Sequence, residues 1–166
     1  VTDADSDSIS FSLSGTDADS FSISSSGALT FNNAPDYETK DSYSLIITAS
    51  DGTASVSQTV TIAISNINEV PQISALSSNQ LPDENQLSVV TVSASDPDAS
   101  TTLTYSLSGT DSSLFAISSS GVITFSSAPD YETPGDAGGD NNYQINVVVS
   151  DGSLSVTQAI TVQVQN

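Results

Sequence analysis

From Tyr43 to Ala49 every second residue is apolar: Tyr43, Leu45, Ile47 and Ala49 alternate with polar or outward-facing neighbours. Val56, Val60, Ile62 and Ile64 continue the pattern. It returns further along the chain as Tyr143, Ile145, Val147 and Val149, then Leu154, Val156, Ile160, Val162 and Val164. A period of two with many β-branched residues signals strands that bury one face. Ser-Gly, Asp-Gly and Pro-Asp pairs between these runs signal turns. No stretch carries an apolar stripe at helical spacing. Short strands at regular spacing, with one apolar face each, predict an all-β chain built as β-sandwiches. Ile62, Ile64, Val147, Val149, Val162 and Val164 are expected to be buried. Phe11, Phe21, Phe31, Phe115, Phe125 and the five tyrosines are likewise expected in the core rather than on a binding surface.

The pattern is duplicated at the level of residues. Ser14-Gly15-Thr16-Asp17 recurs as Ser108-Gly109-Thr110-Asp111, and Ser24-Ser25-Ser26-Gly27 as Ser118-Ser119-Ser120-Gly121. Ala34-Pro35-Asp36-Tyr37-Glu38-Thr39 recurs as Ala128-Pro129-Asp130-Tyr131-Glu132-Thr133, and all three pairs are offset by 94. Ser50-Asp51-Gly52 recurs as Ser150-Asp151-Gly152, offset by 100, so six extra residues fall within 134–142 of the second copy. Such self-similarity predicts two homologous modules, residues 1–68 and 69–166. The inserted loop contains Gly135, Gly138 and Gly139 and is expected to be exposed and mobile. The second copy opens with Pro71-Gln72-Ile73, Leu81 to Asn85 and Val89 to Ala94, whereas Val1-Thr2-Asp3 is already level with the end of that stretch. The first module is therefore expected to lack its first two strands, and the chain to be part of something longer.

Composition narrows the chemistry. Twenty acidic residues face one base, Lys40, for a net charge of −19. That excludes a protein that reads a phosphate backbone and disfavours an anionic membrane surface. There is no Cys, His, Met or Trp, so zinc, copper and iron sites are disfavoured. Carboxylates, amides and backbone carbonyls are what remain, and they suit hard cations, calcium above all. With no His or Cys and a single Lys, acid–base or nucleophilic catalysis has few candidates, and no enzymatic activity is expected.

Acidic residues recur at matching element ends. Asp36 and Glu38 match Asp130 and Glu132; Asp3 and Asp5 match Asp96 and Asp98; Asp51 matches Asp151. Glu84, in Pro82-Asp83-Glu84-Asn85, has no counterpart in the first copy. Carboxylates two residues apart in an extended loop can chelate one ion, and calcium takes about six to eight oxygens. An Asp-Gly pair is also an ordinary hairpin turn. Asp17, Asp19 and Asp41 read as solvated charges.

These motifs resemble the cadherin repeat, in the bacterial form found in large surface adhesins of the RTX type. Asp96-Pro97-Asp98 is similar to the family's Asp-x-Asp, and Pro35-Asp36-Tyr37-Glu38 and Pro129-Asp130-Tyr131-Glu132 to its Leu-Asp-Arg-Glu. Ala49-Ser50-Asp51-Gly52 and Val149-Ser150-Asp151-Gly152 resemble its Ala-x-Asp-Gly. Asn66-Ile67-Asn68-Glu69-Val70-Pro71 resembles its linker and Pro82-Asp83-Glu84-Asn85 its Pro-Glu-Asn. The resemblance implies tandem Greek-key sandwiches of Ig-like type, with calcium at the junctions. It implies that Asp36, Glu38, Asn66, Ile67 (by its carbonyl), Asn68, Glu69, Asp96, Asp98 and Asp151 share the interdomain calcium. Asp3, Asp5 and Asp51 would form an N-terminal half-site, and Glu84, Asp130, Glu132 and Asn166 a C-terminal one. Asn66 stands where the family usually has Asp, and Tyr37 and Tyr131 stand where it has Arg.

The function expected on these grounds is that of a calcium-stiffened extracellular module at a bacterial cell surface, serving adhesion or acting as an extender. Its partners would be neighbouring repeats of the same chain, with a surface protein, a glycan or self-association beyond them. It would contact no nucleic acid and insert in no membrane. A carbohydrate-binding module of a secreted polysaccharide-degrading or matrix protein is the alternative.

Overall fold

The computed structural model describes residues 8–99 and 101–166. Asp3 and Asp5 lie outside the described residues. The chain divides into two compact units, Val1–Ile67 and Asn68–Asn166. Among the described residues the regular structure is strand, apart from two single 3-10 turns at Ala18–Ser20 and Ser112–Leu114.

The first unit builds β1 (Ser10–Ser14), β2 (Phe21–Ile23), β3 (Leu29–Phe31), β4 (Ser42–Ser50) and β5 (Ser55–Ala63). β1, β4 and β5 form one antiparallel sheet, and β2 and β3 pair separately. The second unit builds β6 (Gln72–Ser74), β7 (Asn79–Gln80), β8 (Ser88–Thr91), β9 (Ser93–Ser95), β10 (Thr104–Ser108), β11 (Phe115–Ile117), β12 (Val122–Phe125), β13 (Asn142–Ser150) and β14 (Ser155–Gln163). Its sheets run β10-β13-β14-β7 and β11-β12-β8, with β6 paired to β9. β10 to β14 repeat β1 to β5 in register: Phe11 faces Ala49, and Tyr105 faces Val149. The leading part of the second unit, β6 to β9, amounts to two strands each broken once. The first break contains Ala75 at φ 52, and the second falls at Val92.

Alternation does what the sequence implies in the second unit. Along β13, Tyr143, Ile145, Val147 and Val149 are buried while the residues between them are partly or fully exposed. Val162 and Val164 are buried too, with Val92, Phe115, Ile123, Phe125 and Ile160. Each unit packs the same aromatic triad. Phe21 lies 4.3 Å from Phe31 and 5.6 Å from Tyr43, and Phe115 lies 4.5 Å from Phe125 and 5.7 Å from Tyr143. The expected burial of Ile62 and Ile64 is not met, because both are only half-buried. Among the described residues the first unit has no strands matching β6 to β9, which cover the equivalent positions of the second. Tyr37 and Tyr131 also depart from the expected core placement, at 38% and 39% exposure. They sit in the Pro-Asp-Tyr-Glu loops, outside any strand. Leu154, read as a strand residue, closes the turn between β13 and β14 and is exposed.

Candidate calcium sites at the element ends

β13 is nine residues long, so its two ends are separated by about 26 Å at strand rise. Acidic loops gather at each end of the second unit. At the end where β13 meets β14, Asp151 opens the turn. Its Oδ1 accepts the N–H groups of Ser153 (2.5 Å) and Leu154 (2.6 Å), and Gly152 takes φ +99. That is the ordinary turn chemistry of Asp-Gly. It uses one oxygen only. Oδ2 accepts the Asn68 amide at 2.7 Å. The Asn68 amide, then the Leu154 and Ser153 N–H groups, hold the Asp151 carboxyl below its usual range. Asp98 is buried, its Oδ2 accepts the Glu69 N–H at 3.0 Å, and its own N–H donates to Asp96 Oδ1 at 2.9 Å. Asp96 Oδ2 is buried and receives no hydrogen bond. The fold thus brings together Asn68, Glu69, Asp96, Asp98 and Asp151, contributed by the linker, the end of β9 and the β13–β14 turn.

The opposite end repeats the design with other elements. Glu84 N–H donates to Gln165 O at 2.8 Å, which fixes that loop beside the end of the chain. Glu84 Oε2 accepts the Tyr131 N–H at 3.2 Å. Asp130 Oδ1 accepts the N–H groups of Glu132 (3.0 Å) and Thr133 (3.1 Å), so the loop folds back on its own carboxylate. Asn166 donates from Nδ2 to Glu132 Oε1 at 3.1 Å. One carboxylate oxygen each from Glu84, Asp130 and Glu132 lies within 4.8 Å of the others. Two ligands on one calcium ion can be about 5 Å apart at most, given Ca–O distances of 2.3–2.6 Å. The spacing therefore fits a shared ion.

In the first unit, Asp36 Oδ1 accepts the N–H groups of Glu38 (3.0 Å) and Thr39 (3.2 Å), and its Oδ2 accepts Thr39 Oγ1 (3.1 Å). The Thr39 bonds, backbone first, hold the Asp36 carboxyl below its usual range. Asp51 forms the same turn as Asp151, accepting from Thr53 (2.7 Å) and Ala54 (2.6 Å). Asn66 and Ile67 follow β5 at the end of this unit, and Ile67 is exposed.

Three acidic residues do other work. Asp17, read as a solvated charge, pairs with Lys40 and accepts the Ser44 N–H at 2.7 Å. Its counterpart Asp111 is buried and accepts the N–H groups of Ala137 (2.8 Å) and Gln144 (2.7 Å). The inserted loop thus supplies a backbone donor near where the first unit has its lysine. The loop is exposed over most of its length, but Asp136 is buried and accepts the N–H groups of Asn141 (3.0 Å) and Asp140 (3.2 Å). Asp136 closes its own loop. Recurrence of Ser-Gly-Thr-Asp in both copies was the signal for Asp17 and Asp111. For Asp136, which lies in the insertion, the sequence has no second copy to compare.

Residues 78–165, more than half of the chain, match the family model of the cadherin domain. The chain belongs to the cadherin family. No curated protein sequence matches it. Among solved structures it is similar to human protocadherin-24 EC1-2, with a TM-score of 0.65 at 21% identity over 99% of this chain and 85% of that one. It is similar to mouse cadherin-23 EC22-24, with a TM-score of 0.67 at 26% identity over 95% of this chain and 53% of that one. It is also similar to Drosophila N-cadherin EC1-4, with a TM-score of 0.67 at 22% identity over 98% of this chain and 42% of that one. The chain thus spans about half of the mouse structure and less of the fly one. At these identities the human and fly likenesses speak for the fold. Among the described residues, no helix of this cadherin is long and apolar enough to cross a membrane.

Proposed function

We infer that this chain is a pair of calcium-binding cadherin repeats, residues 1–68 and 69–166, from an RTX-type adhesin on the outside of a bacterial cell. The observation that carries calcium is the carboxylate trio of Glu84, Asp130 and Glu132. Three carboxylate oxygens lie within 4.8 Å of one another, and the single base of the sequence, Lys40, engages Asp17. Like charges so close repel one another unless a cation intervenes. The buried, undonated Oδ2 of Asp96 supports the same reading at the other end of the second unit.

The residues present fit the ion: every candidate donor is an oxygen, and one oxygen of Asp96, Asp130 and Asp151 is already used to shape the loop. Loop geometry is thereby fixed before a cation arrives, which lowers the ordering cost of binding. Calcium bound there supplies positive charge that screens the acidic ends. Family resemblance assigns Asp36, Glu38, Asn66 and Ile67 to the calcium cluster that includes Asn68, Glu69, Asp96, Asp98 and Asp151. Asp51, with Asp3 and Asp5, would serve a junction on one side, and Glu84, Asp130, Glu132 and Asn166 one on the other. Neighbouring repeats are then the first partners, and calcium selects the stiff form by its higher affinity for it.

Small-angle scattering of the parent and of Asp98→Ala, each with calcium and with chelator, tests this. Calcium should lengthen and stiffen the parent, and the variant should respond less. Identical parent curves in both conditions would end the reading.

A further inference from the structure

The Pro-Asp-Tyr-Glu loop is closed differently in the two units. In the first, Lys40 N–H donates to Asp36 O at 2.9 Å, so the loop ties its own end to its start. In the second, Pro134 follows the same motif and stands in Lys40's place. Proline has no backbone N–H, so that bond has no equivalent there. A shorter turn, Thr133 N–H to Asp130 O at 3.2 Å, leaves the Tyr131 carbonyl without a partner from its own loop.

The partner comes from beyond the insertion. Asn141 donates from Nδ2 to Tyr131 O at 2.9 Å. Asn141 is itself anchored on both sides. Its N–H donates to Asp136 Oδ1 at 3.0 Å, and its O accepts the Val164 N–H at 3.1 Å. The matching residue of the first unit is Asp41, whose O accepts the Ile64 N–H at 2.8 Å in the same way. An ionised carboxylate has no hydrogen to donate, so the side-chain bond belongs to the second unit. It has costs. Asn141 is 7% exposed, its φ is +63, and its Oδ1 is buried without a hydrogen bond. A left-handed backbone and an unsatisfied buried carbonyl both lower stability. Such groups persist where a function uses them.

The residue that Asn141 holds lies between two of the acids. Asp130 and Glu132 flank Tyr131, whose N–H donates to Glu84 Oε2 at 3.2 Å. The Tyr131 backbone is therefore fixed by Glu84 on its N–H and by Asn141 on its carbonyl. Its orientation sets where the Asp130 and Glu132 side chains start, and with it the 4.8 Å grouping of their oxygens with Glu84.

We propose that Asn141 is a positioning residue for the Glu84–Asp130–Glu132 cation site, acting through Tyr131 O, with the inserted loop and Asp136 as its support. The proposal rests on the calcium reading of that trio. Groups that orient metal ligands without touching the ion typically change affinity by about ten- to a hundredfold when removed.

The test is a calcium titration of the full chain followed by carboxyl-carbon NMR, for the parent, Asn141→Gly and Asn141→Asp. Glycine takes the φ of +63 readily and removes only the amide. Aspartate also tolerates that backbone and at neutral pH offers no donor. Its added negative charge alone would tighten calcium binding, whereas lost positioning weakens it. In both variants the affinity at Glu84, Asp130 and Glu132 should fall by about tenfold or more. The response of Asp96, Asp98 and Asp151, in the same sample, should keep its midpoint, which separates lost positioning from lost fold. Unchanged or tighter binding at the trio in either variant overturns the proposal, and so does an equal loss at both groups. A parent that binds at the trio beside variants that bind equally well removes the role of Asn141 and leaves the calcium reading standing. A parent with no saturable shift at the trio removes both.

Discussion

Val147→Ala and Ile47→Ala truncate the same sheet position in the two units, one covered and one open. Val147 is 0% exposed. Losing two buried carbons costs about 1.6 kcal/mol at about 0.8 kcal/mol per CH2, and the cavity left behind raises the total to about 2–3 kcal/mol. Ile47 loses three carbons, but it is half-buried and lines an open cavity. Half of the transfer value applies and no new enclosed void forms, so its cost is about 1 kcal/mol. The larger truncation is therefore the cheaper one. Scanning calorimetry should show the second unit's transition falling by about 10–15 °C for Val147→Ala and the first unit's by about 4–8 °C for Ile47→Ala. Equal shifts, or a larger one for Ile47→Ala, would refute the view that Ile47 is the less buried of the two.

Three further outcomes follow from the same geometry. Gly121→Ala should destabilise the second unit by more than about 2 kcal/mol, because its Cβ would clash with Val92 O at 2.4 Å and its φ is +79. Gly27→Ala should cost less, since its Cβ meets the Phe11 ring first, at 3.1 Å; comparative thermal melts decide. Asp111→Ala should cost the second unit about 1–3 kcal/mol in urea unfolding, because two part-buried N–H groups lose a charged acceptor. Burial pushes the Asp136 carboxyl up, but the N–H groups of Asp140 and Asn141 outweigh it, and the net shift is downward from 3.8. A folded value below the unfolded one means its contribution is present above the unfolded value and lost as pH falls through the folded one. Carboxyl-carbon NMR should place its midpoint below 3.8, and a midpoint above that value would contradict the loop's hydrogen bonding.

Much of the fold was legible because its physics is local. Alternation in β13 and β14 forecast which residues face the core, and a repeated Asp-Gly forecast the β13–β14 turn. The half-burial of Ile62 and Ile64 was not legible from alternation alone, because a period of two says which face is apolar and not whether anything covers it. Tyr37 and Tyr131 show the same limit, being aromatic yet held in a loop by their neighbours' hydrogen bonds. Among the acids, recurrence pointed to Asp130 and Glu132 and the resemblance of Pro82-Asp83-Glu84-Asn85 to a family motif pointed to Glu84, and the structure brings these three together. It could not separate a carboxylate that shapes a loop, as in Asp136, from one with an oxygen to spare, as in Asp96. That distinction depends on which N–H groups come within reach after folding. The partners of Asp17 and Asp111 were hidden for a related reason, since they lie at 40–44 and 137–144, distant in sequence.

Calcium at both ends of the second unit stands or falls on a titration of the full chain watched by carboxyl-carbon NMR. Saturable shifts should appear at Glu84, Asp130 and Glu132, and at Asp96, Asp98 and Asp151. Asp19, Asp41, Asp111 and Asp136 should stay in place. No saturable shift at either group, or shifts of equal size at Asp19 and Asp41, would show that the acidic ends carry charge without binding the ion.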